Sequence, residues 1–380
     1  MRNDESRWIE FRSQMPVTKT WAYFDHAGVS PLPAPVQQAV VEWAADMAGH
    51  GAVHWNRWRQ NVETARALGA KLLNAETREI AVIHNTTEGI GFVAEGFPWK
   101  PGDNVVIVGS DFPSNRFPWM NLESRGVEVR VVPAPDERLD LDLLAKSCDA
   151  KTRIVAVSWV GYATGWRNDI DAVAEIAHRQ GGYLFLDAIQ GLGVLPLDVR
   201  KSNVDFLSAD GHKWMLGPEG AGLFYLKSEH LDLLRPVGVG WHSVTNAGEF
   251  TDPAMTLKPA ADRYEGGTHN YAGIVGFVAS LKLLTDIGTD ATSKRIHDVT
   301  NLLCAKLPDA GAIVASARDN NRWSGIVSFE LPGHEPMALK KHCRNFGVAV
   351  NQRAGRVRAS AHVYNNEDDI DKLIDALKRA

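Results

Sequence analysis

Between about residue 79 and residue 226, short apolar segments alternate with segments of helical periodicity, and this alternation limits the fold more than any other feature of the chain. Glu79–Ile83, Asn104–Val108, Val127–Val132, Arg153–Val160, Tyr183–Gln190 and Ala221–Leu226 read as strands, with helices such as Asp140–Ala145 and Ile170–Arg179 between them. Parallel neighbours need a long crossover, usually a helix, and a strand covered on both faces becomes a nearly continuous apolar run. The expected fold is therefore α/β: a mostly parallel sheet of about seven strands flanked by helices. Before it, residues 4 to 14, Pro35–His50 and Arg57–Leu73 carry helical spacing. From Thr289 onward a helix, the strand Ile326–Leu331, the helix Pro336–Asn345, the short strand Val348–Asn351 and the helix Asn366–Arg379 form a smaller α+β unit. The expected division is a large domain over residues 20–288 and a small domain built from residues 1–19 and 289–380.

The stretch that carries chemistry is VDFLSADGHKWMLGPEGAGLFYL, Val204 to Leu226. It holds Lys213 in a polar, glycine-rich loop between two apolar segments, a poor place for a merely solvated charge. About 25 residues upstream, YLFLDAIQ delivers Asp187 at the carboxyl end of a strand, where open α/β sheets bind their ligands. A lysine and an acid on neighbouring strand ends suit pyridoxal phosphate: the lysine forms a Schiff base and the carboxylate pairs with the pyridinium nitrogen. At His84-Asn85-Thr86-Thr87-Glu88-Gly89 a strand breaks into a helix, which offers free backbone N–H groups and two hydroxyls to an anion. A plain helix cap is the simpler account of the same residues.

The run D-x-x-Q followed by S-x-D-G-H-K-W-x-x-G-P-x-G resembles the class V aminotransferase group of fold-type I pyridoxal phosphate enzymes, which includes cysteine desulfurases, kynureninases and isopenicillin N epimerase-like proteins. The resemblance implies roles residue by residue. Lys213 would be catalytic, as carrier of the cofactor and base at Cα. Asp187 would protonate the ring nitrogen, Gln190 would bond the ring hydroxyl, and Phe112 of F-P-S-N would stack on the ring as in kynureninases. Thr86, Thr87 and His212 would hold the phosphate, with Ser208 as a further cofactor contact. Thr268 of E-G-G-T-x-N would reach the neighbouring subunit's phosphate, implying a homodimer with shared sites. Ala27 and Gly28 of WAYFDHAGVSPLP, Tyr162, and Arg358 of R-x-S-x-x-x-Y-N would bind substrate, Arg358 through its α-carboxylate. Arg353 and Arg356 are weaker candidates for that task.

Two departures stand out. Desulfurases have a serine three residues before the lysine, where this chain has Asp210, and a carboxylate beside a phosphate dianion is repulsive unless protonated or turned away. Asp210 is therefore left out of the expected phosphate ligands. Desulfurases also carry a sulfur-accepting cysteine on a loop before the late arginine, whereas here only AGRV separates Arg353 from Arg358. On that ground a persulfide-forming desulfurase is disfavoured and an aminotransferase is the nominal expectation. A C–S or C–C β-lyase and an amino-acid epimerase are the alternatives. A non-catalytic, cofactor-binding regulatory protein is less favoured, because binding alone has no need of Lys213, Asp187, His212 and Arg358 together.

Bulk properties narrow the partners. A hydrophobic content of 44%, a charged content of 23% and a net charge of −5 are those of an ordinary soluble protein without a basic footprint, so no nucleic-acid partner is expected. The charged N-terminus and the lack of any run of 18 apolar residues point away from a membrane and toward the cytoplasm. Cys148, Cys304 and Cys343 are odd in number and far apart, which fits reduced thiols, and neither a metal nor a dinucleotide motif is present. The amino-acid substrate is expected to be a small molecule.

Overall fold

The computed structural model describes residues 4–251, 254–319 and 321–380. Its centre is a seven-stranded sheet of β1 (Ile80–Ile83), β2 (Asn104–Val108), β3 (Glu128–Val132), β4 (Thr152–Ser158), β5 (Tyr183–Asp187), β6 (Phe206–Asp210) and β7 (Gly222–Leu226). The strand order is β1-β7-β6-β5-β4-β2-β3. Only β7 runs against its neighbours, β1 and β6. The other six strands therefore bring their carboxyl ends to one rim, and the order reverses between β2 and β4, the switch point at which such sheets bind ligands.

Successive residues of each strand enter different cores. Val82, Val106, Val155, Val157, Leu184, Leu186, Leu207 and Leu223 join the side built on helices Trp55–Leu73, Ile170–Arg179 and Tyr271–Ile287. Ala81, Ile83, Val105, Ile107, Ile154, Phe185, Phe206 and Phe224 face helix Thr86–Gly96 with Trp119, Leu122 and Tyr264. Because both faces are covered, the strands read as unbroken apolar runs, and each fully buried Val, Leu or Phe contributes roughly 1.5–3 kcal/mol. No single described helix is long and apolar enough to cross a membrane.

A third core lies under an antiparallel sheet of four strands in the order Asn351–Arg353, Arg356–Ser360, Ile326–Glu330, Ile313–Val314. The first two form a hairpin whose turn, Ala354-Gly355, has φ values of 47° and 77°, the left-handed pair of a tight hairpin. The N-terminal segment is tied to this unit: Ala22–Tyr23 pairs with Val348–Ala349, and Ser360 N donates to the Phe24 carbonyl at 2.7 Å. Arg12 adds an ion pair to Asp369 at 2.7 Å. Strands at 351–353 and 356–360 are not expected from the sequence, because each arm is short and the alternation of Val357 and Ala359 spans only five residues.

Candidate active site

A cavity of about 250 Å³ opens at the carboxyl rim of the sheet, where the loops after β1, β2, β4, β5 and β6 meet residues from the small antiparallel unit. Lys213 stands in it three residues beyond β6. Desolvation draws its amine down to about 8, against the opposing pull of Asp187. Relative to an ordinary lysine, the neutral, nucleophilic fraction at pH 7 rises on the order of a few hundredfold.

Asp187 ends β5 and is buried, with the Ile189 N–H donating to its Oδ1 at 3.1 Å. Burial pushes its carboxyl up to about 6, while that hydrogen bond and Lys213 hold it down. A buried acid with so little neutralisation, facing a cavity, is matched to a cationic N–H. Behind it Asp111, at the end of β2, is pushed up to about 7 by burial and by Asp187. Asp111 accepts from Asn115 Nδ2 and from the Ser158 N–H, each at 2.9 Å.

The opposite end of the cavity is an anion corner. Asn85 caps helix Thr86–Gly96 by accepting from the Glu88 N–H, leaving the first-turn amides of Thr86 and Thr87 without helical carbonyls. The Thr86 hydroxyl accepts from the Asp210 N–H at 3.0 Å, so its own proton is free to donate. His212 lies alongside, with Nδ1 2.9 Å from Asp210 Oδ2. The contact is close but not aligned as a hydrogen bond, since neither His212 Nδ1 nor Asp210 Oδ1 has a hydrogen-bond partner.

Between these ends lie flat and directional groups. The Phe112 ring is half exposed, with Lys213 Nζ 5.9 Å from its centroid, and it meets Tyr162 edge-on at 5.3 Å. Gln190 is pinned, accepting from Trp214 Nε1 at 2.8 Å and donating to the Ala27 carbonyl at 3.0 Å, which leaves it one amide hydrogen. Ala27 and Gly28 form the wall beside it. Arg358 is 1% exposed, donates to the Tyr162 carbonyl at 2.6 Å and pairs with Asp25 at 3.1 Å, and its Nε–H is unpartnered.

Of the expected site residues, Ala27, Gly28, Thr86, Thr87, Phe112, Tyr162, Asp187, Gln190, His212, Lys213 and Arg358 all line this one cavity. Ser208 does not. It is fully buried, donates to the Thr86 carbonyl at 2.9 Å and packs under Gly89, so it ties β6 to the helix start instead of facing a ligand. Thr268 is exposed and outside the cavity. Arg356 points away, bonded to Glu330 and Asp136. Arg353 does line the cavity, as do Asn85 and Ser114. Arg353 and Arg356 are paired across the hairpin and share its face with Arg358, so it is the partners Glu330 and Asp136 that draw Arg356 away from the cavity.

The residues fit pyridoxal phosphate: a reactive lysine, a buried acid for the ring nitrogen, an aromatic plate and a helix-start anion corner occur at compatible places. Comparison with known proteins agrees. The family model described as "Aminotransferase class-V" matches residues 22–373. A probable cysteine desulfurase of Methanothermobacter thermautotrophicus is 31% identical, covering 98% of each chain. A cysteine desulfurase of Escherichia coli is 28% identical over 94% of this chain and 93% of its own. The apo structure of a cysteine desulfurase from Thermococcus onnurineus superposes with a TM-score of 0.88 at 26% identity, covering 98% of this chain and 97% of that one.

These relatives overturn two expectations. An aminotransferase is not supported, and setting cysteine desulfurases aside for want of a cysteine loop put too much weight on one absent segment, since full-length similarity runs to proteins of that name. With a family match over nearly its whole length and the cofactor's chemical counterparts gathered in one cavity, the chain belongs to the class V aminotransferase family of pyridoxal phosphate-dependent enzymes.

Proposed function

We propose that this enzyme cleaves the Cβ–S bond of cysteine or a cysteine-derived amino acid. The observation that carries the reading is the placement of Lys213, its amine drawn down to about 8, in one cavity with the buried acid Asp187 and the buried arginine Arg358. The kind of bond is suggested by the names of the full-length relatives.

Arg358 would take the substrate α-carboxylate, held by Asp25 and the Tyr162 carbonyl so that its remaining N–H groups face the cavity. Lys213 Nζ would move the proton at Cα, a task suited to an amine drawn down toward neutral pH. Thr86, Thr87 and His212 would hold the phosphate, Asp187 the ring nitrogen, Gln190 the ring hydroxyl and Phe112 the ring face. The cofactor supplies, when bound, a sink for the electron pair left at Cα. Arg353 adds a second positive group on the side where a polar substrate tail would lie.

The sulfur must leave the cavity on something other than this chain. None of the three cysteines lines the cavity, and burial pushes the thiols of Cys148 and Cys343 up to about 11, far from the thiolate a nucleophile needs. We infer an external thiol as the acceptor. We also infer a homodimer in which the exposed Thr268 completes the partner's anion corner.

The test is anaerobic incubation with L-cysteine, L-cystine and L-kynurenine, with and without a small thiol, scoring sulfide, alanine and pyruvate. Sulfur released with stoichiometric alanine or pyruvate is the expected result. Turnover of kynurenine, with no sulfur released from either sulfur amino acid, would sink the reading.

A further inference from the structure

We propose that Asp46, His50 and His54 bind a divalent cation of the zinc, nickel or copper type, which clamps the corner between helices Ala34–His50 and Trp55–Leu73. The sequence carries no metal motif, because three residues at spacings of four need a break in the helix to meet. That break is Gly51, whose φ of 55° ends the first helix and turns the chain back on itself. The short turn Gly51–His54 then lays His54 over Asp46, while His50 comes alongside from one helical turn away.

As a result, Nδ1 of His50 lies 3.0 Å and Nδ1 of His54 lies 2.6 Å from the same oxygen, Asp46 Oδ1. All three ligand atoms fall within 4.8 Å of one another. A cation takes the place of the hydrogens between them, each neutral ring keeping its proton on Nε2. Two imidazoles and one carboxylate select zinc, nickel or copper over magnesium or calcium, which prefer oxygen ligands.

A separate observation supports the site. The second carboxylate oxygen of Asp46 accepts from Nε1 of Trp58, 5% exposed, at 3.0 Å. An outer partner of this kind orients a ligating carboxylate and is commonly as important as a ligand. Both histidine side chains are about half exposed, so solvent can reach the fourth position and a cation can enter.

The experiment is calorimetric titration of chelator-treated holoenzyme with zinc chloride and with nickel chloride, alongside thermal unfolding with and without each ion. One cation per chain is expected, with a raised unfolding midpoint. His50→Ala/His54→Ala should abolish the midpoint shift and weaken binding at least tenfold, and Trp58→Phe should weaken it by about tenfold. Neither histidine belongs to the catalytic cavity, so the double variant should keep wild-type turnover. Absence of binding, or binding and midpoint shift unaltered in the double variant, would mean that the trio is only a hydrogen-bonded helix corner.

Discussion

The Asp210 carboxylate stands 2.9 Å from Nδ1 of His212, on the floor of the cavity that holds Lys213. The contact lies within ion-pair reach and sets a carboxylate beside the imidazole that we propose for the anion corner. Removing one member of a buried polar contact leaves the other without a neighbour, at a typical cost of about 1–3 kcal/mol. Asp210→Ala should therefore weaken cofactor binding by about 10- to 100-fold in equilibrium dialysis. Asp210→Asn, which keeps a polar oxygen beside the ring, should recover part of the loss. Tighter binding by Asp210→Ala would show that the carboxylate acts on the phosphate by repulsion and not through His212.

Asp111 and Asp187 are neighbouring buried acids, both raised, to about 7 and about 6. The folded, cofactor-free protein therefore binds more protons than the unfolded chain from about pH 4 to about pH 7. Their stabilising contribution is present below the ordinary carboxyl range and is lost as pH rises through the folded values. Asn at 111 can accept the same two hydrogen bonds without ionising. Urea unfolding of cofactor-stripped Asp111→Asn should show a smaller loss of stability between pH 5 and pH 8 than wild type, by an amount on the order of a few kcal/mol. Equal losses in the two proteins would mean that Asp111 ionises without penalty.

Gly89 sits over Ser208 so closely that an added Cβ would lie 2.4 Å from the serine Oγ and 2.9 Å from its Cβ. Gly89→Ala gains about 1 kcal/mol of helix propensity but forces the helix start off β6, at a typical cost of about 1–3 kcal/mol. The expected outcome is weaker cofactor retention with little change in global unfolding. Ser208→Gly in the same chain should restore retention, and failure of that rescue would dissociate the contact from the anion corner.

Cys148 and Cys343 are buried, and Cys304 is half-buried with its thiol also raised by burial. Replacing all three with alanine should leave sulfur release from cysteine intact when a small thiol is supplied, even though the two buried positions lower the unfolding midpoint. If turnover vanishes in a variant that remains folded and retains cofactor, one of these thiols carries the sulfur.

The α/β architecture and the main chemistry are legible in the chain because both are written locally. A strand covered on two faces must be apolar along its length, and Thr86, Thr87, Asp187, His212 and Lys213 sit at strand ends or helix starts that the chain marks within a few residues. Even the rim they share follows from strand direction. Relationships between distant or ambiguous residues come only from packing. Arg358 meets Asp25 across 333 positions, Glu330 and Asp136 draw Arg356 away from the cavity that Arg353 lines, and the Gly51 turn gathers Asp46, His50 and His54. Ser208, expected as a cofactor contact, lies under Gly89 instead, because only packing decides which of two polar residues on β6 reaches the cavity. The reaction was misread for a related reason: proton transfer at Cα is common to the family and its motif is local. Which bond breaks next depends on the three-dimensional lining of the cavity, to which no single motif corresponds.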